Sequence, residues 1–336
     1  MALNYTVFDE AYYLQNNPDV NSAVNTPGGF FSGIEHFDRF GRFEGRVNVS
    51  PYYNENAYLQ KYPDVAAAVA SGAYSSGLQH FVEVGYDEGR ASPLGTGETG
   101  LLNSEDVYLR KYPDVAAAVA NRVFRSGYDH FLQVGRKEGR SPSYFSEPDY
   151  LLFNPDVADA VARGEFASGF DHFVRFGQYE DRFPQFSGTR GNDIVQGFGK
   201  ATRFFYGVDY QNTSPQPSYD YILRSDGRGE IDTLIGLPGQ DGFSLAGELG
   251  VSHPTNTTFY LGNGANDYAI IRNFERGIDG IQIVGTLSDY TQVVSGGNLS
   301  IFKGGDLIAV VEEQTTPLGP APVSVLYPVG GTVWIT

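Results

Sequence analysis

YLRKYPDVAAAVANRVFRSGYDHFLQVGRKEGR, residues 108–140, is one of four copies of the same text. The others begin near Tyr13, Tyr58 and Tyr150. Pro18, Pro63, Pro113 and Pro155 hold one place in the repeat, always followed by Asp-Val. His36, His80, His130 and His172 hold another, each followed by Phe and, ten residues on, by Arg46, Arg90, Arg140 or Arg182. His253 alone lies outside the pattern. Repetition at this period marks a modular array. A catalytic site is normally made once, from unlike parts, so four copies of one constellation point to a surface, a spacer or an assembly.

The repeat reads as short helices. Tyr108, Tyr112, Val115 and Val119 share one helical face. Pro113 must break that helix or restart it, and a proline followed by Asp suits a helix start. Ser32, Ser76, Ser126 and Ser168, each with Glu, Gln or Asp three residues later, signal a further helix by the capping-box pattern. Gly41, Gly85, Gly135 and Gly177 are expected to close it as left-handed caps. Three short helices per unit cannot bury their own faces, so copies must stack or fold back. The four histidines are expected to brace a turn by hydrogen-bonding backbone, because zinc needs three or four converging ligands. Each terminal arginine is expected to pair with the Pro-Asp carboxylate, Arg140 with Asp114 for example. The prolines are 45, 50 and 42 residues apart, and the longest gap holds ASPLGTGETGLLN, residues 91–103, which reads as a linker or surface loop.

The chain has 336 residues, enough for two or three domains, and its 41% apolar content suffices for a packed core. A net charge of −17 argues against nucleic acid, which needs clustered Lys and Arg. With no cysteine there are no disulfides and no thiolate metal sites. MALNYTVFDEAYYL has neither the basic start nor the apolar core of a Sec-type signal, and no run of 18 apolar residues could span a membrane.

After Phe186 the text changes to Gly, Asp and Asn with short β-rich runs. GTRGNDIVQG, 188–197, and DTLIGLPGQDGFSLAG, 232–247, both carry G-x-x-G-x-D-x-U, through Gly188, Gly191, Asp193 and Val195 and through Gly236, Gly239, Asp241 and Phe243. Glycines let such a turn adopt positive φ, the Asp supplies carboxylate oxygens, and hard Ca²⁺ takes six to eight oxygen ligands. The apolar residue two after the Asp points into the fold. The same spacing suits Gly-Asp turns in an ordinary β-sandwich. Residues 198–222, FGKATRFFYGVDYQNTSPQPSYDYI, read as an inserted loop or hairpin, and residues 299–313 as a hairpin around Gly304-Gly305.

These octads, with DYAIIRNFERGIDGIQIVG from Asp267, resemble the calcium repeats of RTX (hemolysin-type) proteins, especially cyanobacterial ones. The PDVAAAV…HF…EGR unit resembles modules found beside such repeats. The resemblance implies a parallel β-roll, Ca²⁺ as cofactor, and export by a type I-like route that needs no N-terminal signal. Asp193 and Asp241 are the best ligands, with carbonyls near Gly188, Gly191, Gly236 and Gly239; Asn192, Asp232, Asp267 and Asp279 are weaker candidates. With only two good octads, one or two ions are expected, or none. The fold class expected is α+β multidomain, with an all-α repeat array followed by a β-roll or sandwich-like domain: repeats 1 and 2 over 1–92, repeats 3 and 4 over 104–185, and the β domain over 186–336. The function expected is a non-enzymatic, secreted calcium-binding structural protein whose partner is itself, in surface layers, filaments or matrix. The alternative is a binding module for cell-surface polysaccharide.

Overall fold

Proline at the sixth residue of each repeat decides the local structure. In the computed structural model, which describes residues 3–92, 105–212, 221–247, 256–321 and 331–336, each repeat opens with a helix: Glu10–Asn16, Glu55–Lys61, Glu105–Lys111 and Glu147–Phe153. Proline then starts a second helix at its first turn: Pro18–Ala23, Pro63–Ala70, Pro113–Ala120 and Pro155–Ala162. The third begins behind the capping serine, at Gly33–His36, Gly77–His80, Gly127–His130 and Gly169–Arg175. The α+β class is met. Residues 93–103 of the expected linker lie outside the described residues. No helix among the described residues is long and apolar enough to cross a membrane.

The chain forms two compact units, Met1–Arg136 and Lys137–Thr336. The first holds repeats 1 and 2 and most of repeat 3. Tyr13, Tyr58 and Tyr108 from the opening helices and Phe37, Phe81 and Phe131 from the third are fully buried there, in edge-to-face contact within each repeat. Tyr52 joins repeats 2 and 3: its carbonyl accepts from the Tyr128 hydroxyl at 2.7 Å, and its ring meets Phe131.

The second unit holds repeat 4 and, among the described residues, fifteen strands: β1 Gln185–Ser187, β2 Ile194–Gln196, β3 Arg203–Tyr206, β4 Tyr210–Asn212, β5 Tyr221–Leu223, β6 Ile231–Ile235, β7 Asp241–Ser244, β8 Ala246–Gly247, β9 Thr257–Thr258, β10 Tyr268–Arg272, β11 Gly280–Val284, β12 Tyr290–Ser295, β13 Asn298–Lys303, β14 Asp306–Val311 and β15 Thr332–Ile335. Five form a sheet in the order β1-β3-β7-β11-β15 and six another, β12-β13-β14-β10-β6-β2. From β1 to β11 the main strands alternate between the sheets and pair in parallel, so the chain winds in coils. β12 to β15 close the coils: β14 joins β10 in parallel, while β12–β13, β13–β14 and β11–β15 pair antiparallel.

The coil period shows in the core. Phe186, Phe205, Phe243 and Ile281 are in register across one sheet; Val195, Leu234, Ile271 and Val311 are in register across the other, and all are fully buried. Phe186, Phe205 and Phe243 stack with ring centroids 5.7 and 5.4 Å apart. Residues 203–206, expected within an inserted loop, are a strand of the five-stranded sheet that contributes Phe205 to this column. Only β4–β5, which follow, form the expected hairpin. The hairpin at Gly304-Gly305 is present. Repeat 4 packs on the first coil, with Phe145 against Phe186 and Phe173 against Phe198.

Candidate functional site

The polar residues singled out in the repeats bond largely to one another. The histidine Nδ1 meets the hydroxyl of the opening tyrosine, not backbone: Tyr13–His36 at 2.9 Å, Tyr58–His80 at 3.1, Tyr108–His130 at 2.9 and Tyr150–His172 at 3.0. Burial lowers the basicity of His36, His80 and His172. The terminal arginines form two-pronged pairs with the Pro-Asp carboxylates in Arg46–Asp19, Arg90–Asp64 and Arg182–Asp156, where the contact is 2.7 Å in each. They also hold the Glu two residues before them.

Gly41, Gly85 and Gly135 are not left-handed caps. Past the first three histidines the backbone widens into a π turn, with Arg42 N–H bonded to Phe37 C=O, Tyr86 to Phe81 and Arg136 to Phe131. Glycine is required there because a Cβ would strike the tyrosine hydroxyl, as it would at Gly177. The left-handed glycines that follow them are Gly45, Gly89 and Gly139, in the E-G-R triplet. The capping serines accept from the N–H three residues on, at 3.0–3.2 Å. The reciprocal arm reaches one residue earlier than expected, to the N–H before the serine. Sequence reading missed a second cap. Glu10, Glu55, Glu105 and Glu147 each take the first two N–H groups of their repeat's third helix (Gly77 at 2.6 Å and Leu78 at 2.9 Å from Glu55, for example).

The ten residues read as calcium ligands fall on two rows of turns. Gly188, Gly191, Asn192, Asp193, Asp232 and Asp267 lie where the chain passes from the five-stranded to the six-stranded sheet. Gly236, Gly239, Asp241 and Asp279 lie on the return. Gly191 and Gly239 have φ of 93° and 101°, as the turn demands. Gly188 and Gly236 serve close approach, since a Cβ would press on Gly207 C=O or Asn273 C=O.

In each row the aspartates form a column, and their oxygens accept from donors of the turns. Asp193 takes Thr189 N–H at 2.5 Å and the Tyr144 hydroxyl at 3.2 Å. Asp193 N–H donates to Asp232 Oδ1 at 2.8 Å, and the Tyr260 hydroxyl fills Asp232 Oδ2 at 2.7 Å. Asn192 Oδ1 accepts from Ile231 N–H at 2.8 Å. In the other row, Asp241 N–H donates to Asp279 Oδ1 at 2.8 Å, and Glu275 N–H fills Asp279 Oδ2 at 2.8 Å. Asp241 takes Leu237 N–H at 2.7 Å and Arg203 Nε at 2.6 Å. Arg203 also binds the carbonyls of Gly199, Leu237 and Pro238. A guanidinium thus occupies the oxygen-rich bend that was expected to hold a metal.

Burial raises the pKa of Asp232, Asp241, Asp267 and Asp279. Asp232 is pushed up to about 8 and Asp279 to about 7. Asp241 is raised too, with Arg203 pulling the other way. A site preorganised for Ca²⁺ would turn bare oxygens toward one point. These columns turn them toward N–H and O–H groups, so the donor set does not fit the ion. Among the described residues no group of three or more His, Cys, Asp or Glu is placed to hold a metal. Asp267 differs: buried, with Oδ2 on Gly229 N–H at 3.1 Å, it leaves Oδ1 without a partner, as does Asp306 Oδ1. Arg203 and Tyr260 escaped the sequence reading because each interrupts the Gly-Asp pattern. The signal for Asp232 and Asp279 was present, since both have a buried apolar residue two positions on. Compared with known protein families and with curated proteins, the chain matches none.

Proposed function

We propose that this chain is a non-enzymatic structural building block that acts outside the cell and assembles with itself, in a filament, matrix or surface layer. In this reading the helical repeats are an array, the strands are a β-roll like that of RTX proteins, and export follows a type I-like route. The observation that carries it is the spending of chemistry-bearing side chains on internal bracing, repeat after repeat: histidine on tyrosine, arginine on aspartate, aspartate on backbone N–H. Such groups make rigid, stackable modules. Light scattering and electron microscopy of the purified chain over a concentration series test the reading. Growth into dimers or larger, regular species is expected; a monomer at about 200 µM would refute it, since that concentration far exceeds typical assembly constants.

Two other readings have one observation each. Calcium-linked stiffening is favoured only at Asp267 and Asp306, whose unpaired buried oxygens would gain from a cation. A terbium or calcium titration tests it, with Asp306→Asn expected to abolish the response. Binding of polysaccharide is favoured by an open groove of about 820 Å³ in the first unit, lined by Tyr86, Phe124, Arg122, Arg125, Asp87 and Asp129. A glycan array with Tyr86→Ala as control tests that.

A further inference from the structure

A sheet edge that ends in solvent offers unpaired N–H and C=O groups, and native proteins usually blunt it. The five-stranded sheet has both edges sealed by its own chain. Beside β1, Ser146 N–H donates to Gln185 C=O and Ser187 N–H to Tyr144 C=O, at 2.8 Å each. Beside β15, Gly319 and Thr336 exchange two bonds, and Ala321 N–H donates to Trp334 C=O. The six-stranded sheet is treated differently. Its longer edge, β12, is paired on one side only, with β13.

β12 also lacks the usual protections. YTQVVSGGN, residues 290–298, contains no charge and no proline, and its pairing with β13 is regular throughout. Val293 and Val294 are 45% and 39% exposed. Gly296 and Gly297, both at positive φ, make a two-residue hairpin. That turn fixes which groups point outward. Ser295 and Asn298 flank it, so Thr291, Val293 and Ser295 bond to β13, while the N–H and C=O of Tyr290, Gln292 and Val294 face away. Tyr290 N–H is bonded to Leu287 C=O. Among the described residues none bonds the outward N–H or C=O of Gln292 or Val294; Leu318 meets Gln292 through its side-chain amide alone.

We infer that β12 is the seam at which a second copy of this chain docks, strand against identical strand about a two-fold axis. The inference rests on the self-assembly reading and names its interface. The outward groups choose the register. Gln292 pairs with Val294 of the other copy and Val294 with its Gln292, giving four hydrogen bonds and leaving the occupied Tyr290 N–H out. Val293 then faces its own counterpart across a non-hydrogen-bonded site, where β-branched side chains meet at short range. An antiparallel, two-fold arrangement is self-complementary, as a closed dimer requires. Charge supports identity of the partner. Two copies at −17 each repel over most of their surfaces, and an uncharged strand is where they can approach. The paired edge converts a six-stranded sheet into one of twelve.

The chain has no cysteine, which allows a clean test. Val293→Cys puts one thiol at the two-fold, where Cα atoms about 4.5 Å apart lie within disulfide range. Val123→Cys, more exposed at 69% and in the first unit, is the control. Under mild oxidation Val293→Cys is expected to give a covalent dimer at least ten times faster than the control. In parallel, Val293→Lys should halve the mass seen by light scattering while Trp334 fluorescence stays native. If wild type assembles but Val293→Cys cross-links no faster than the control, or Val293→Lys assembles as wild type does, the seam is elsewhere and only this inference fails. If wild type stays monomeric, the assembly reading itself fails.

Discussion

Replacing Arg203 by methionine isolates the most unusual part of the second unit. Its guanidinium is 3% exposed and the Asp241 carboxylate it meets is fully buried, so solvent screens the pair little. Methionine keeps most of the volume and removes the charge and every donor. Asp241 then keeps only Leu237 N–H, and three carbonyls lose a partner. Breaking a buried pair by removing one member costs about 3–5 kcal/mol, because the remaining charge is left uncompensated. For a unit of this size that lowers Tm on the order of 10 °C.

The pH dependence separates charge from packing. Burial already raises the Asp241 pKa, and without Arg203 only the Leu237 N–H still opposes it. A carboxyl whose folded pKa is raised stabilises the fold below its unfolded pKa and loses that contribution as pH rises through the folded value. The penalty of Arg203→Met should therefore be largest at pH 8 and fall to about 1–2 kcal/mol at pH 5, where protonated Asp241 leaves only lost hydrogen bonds. Adding Asp241→Asn should recover much of the loss at pH 8. Trp334, the only tryptophan, sits in β15 of the same sheet and reports urea unfolding of this unit. A loss below about 1 kcal/mol at pH 8, or one equal at both pH values, would refute the claim that a buried charge pair organises this row.

Further outcomes concern both units. Tyr58→Phe should cost about 1–3 kcal/mol by leaving His80 Nδ1 buried and unpaired, measured by thermal unfolding at 222 nm. Gly85→Ala should cost about 1–3 kcal/mol by driving a methyl into the Tyr58 hydroxyl, and Gly85→Ala in the Tyr58→Phe background should cost clearly less; equal costs would show that the two do not touch. The units should respond to pH in opposite senses. His36 and His80 have lowered pKa values, so their contribution to the first unit is held above about pH 6.5 and lost as pH falls through it. Asp232 and Asp279, raised to about 8 and 7, make their contribution to the second unit at low pH and lose it as pH rises through those values. Amide exchange resolved by unit, compared at pH 5.5 and 8, checks both signs. Phe205→Ala should cost about 3–5 kcal/mol by opening the aromatic column, read by Trp334.

What could be read in the sequence depended on whether the deciding interaction was local. Helix starts at Pro63 or Ser76, and left-handed glycines at Gly191 and Gly239, follow from one residue's own φ or one nearby hydrogen bond, and they were legible. The Asp-x-apolar rhythm was legible too, because a strand's side-chain period of two places Val195 and Phe243 inside once Asp193 and Asp241 close their turns. The errors lie where partners are 20 to 40 residues apart. A histidine followed by Phe says nothing of a tyrosine 22 residues earlier, and Gly85 looked like a cap because the hydroxyl that forbids its Cβ was invisible. Arg203 was illegible for the same reason. Gly-rich, Asp-bearing bends have the composition of a calcium site, and one cation from the preceding coil, 38 residues back, turns the same oxygens into acceptors for a guanidinium. A carboxylate column needs compensation for its burial, and metal, arginine, backbone N–H and protonation all provide it. Local spacing announces the demand for compensation; only the stacking of coils decides which of the four supplies it.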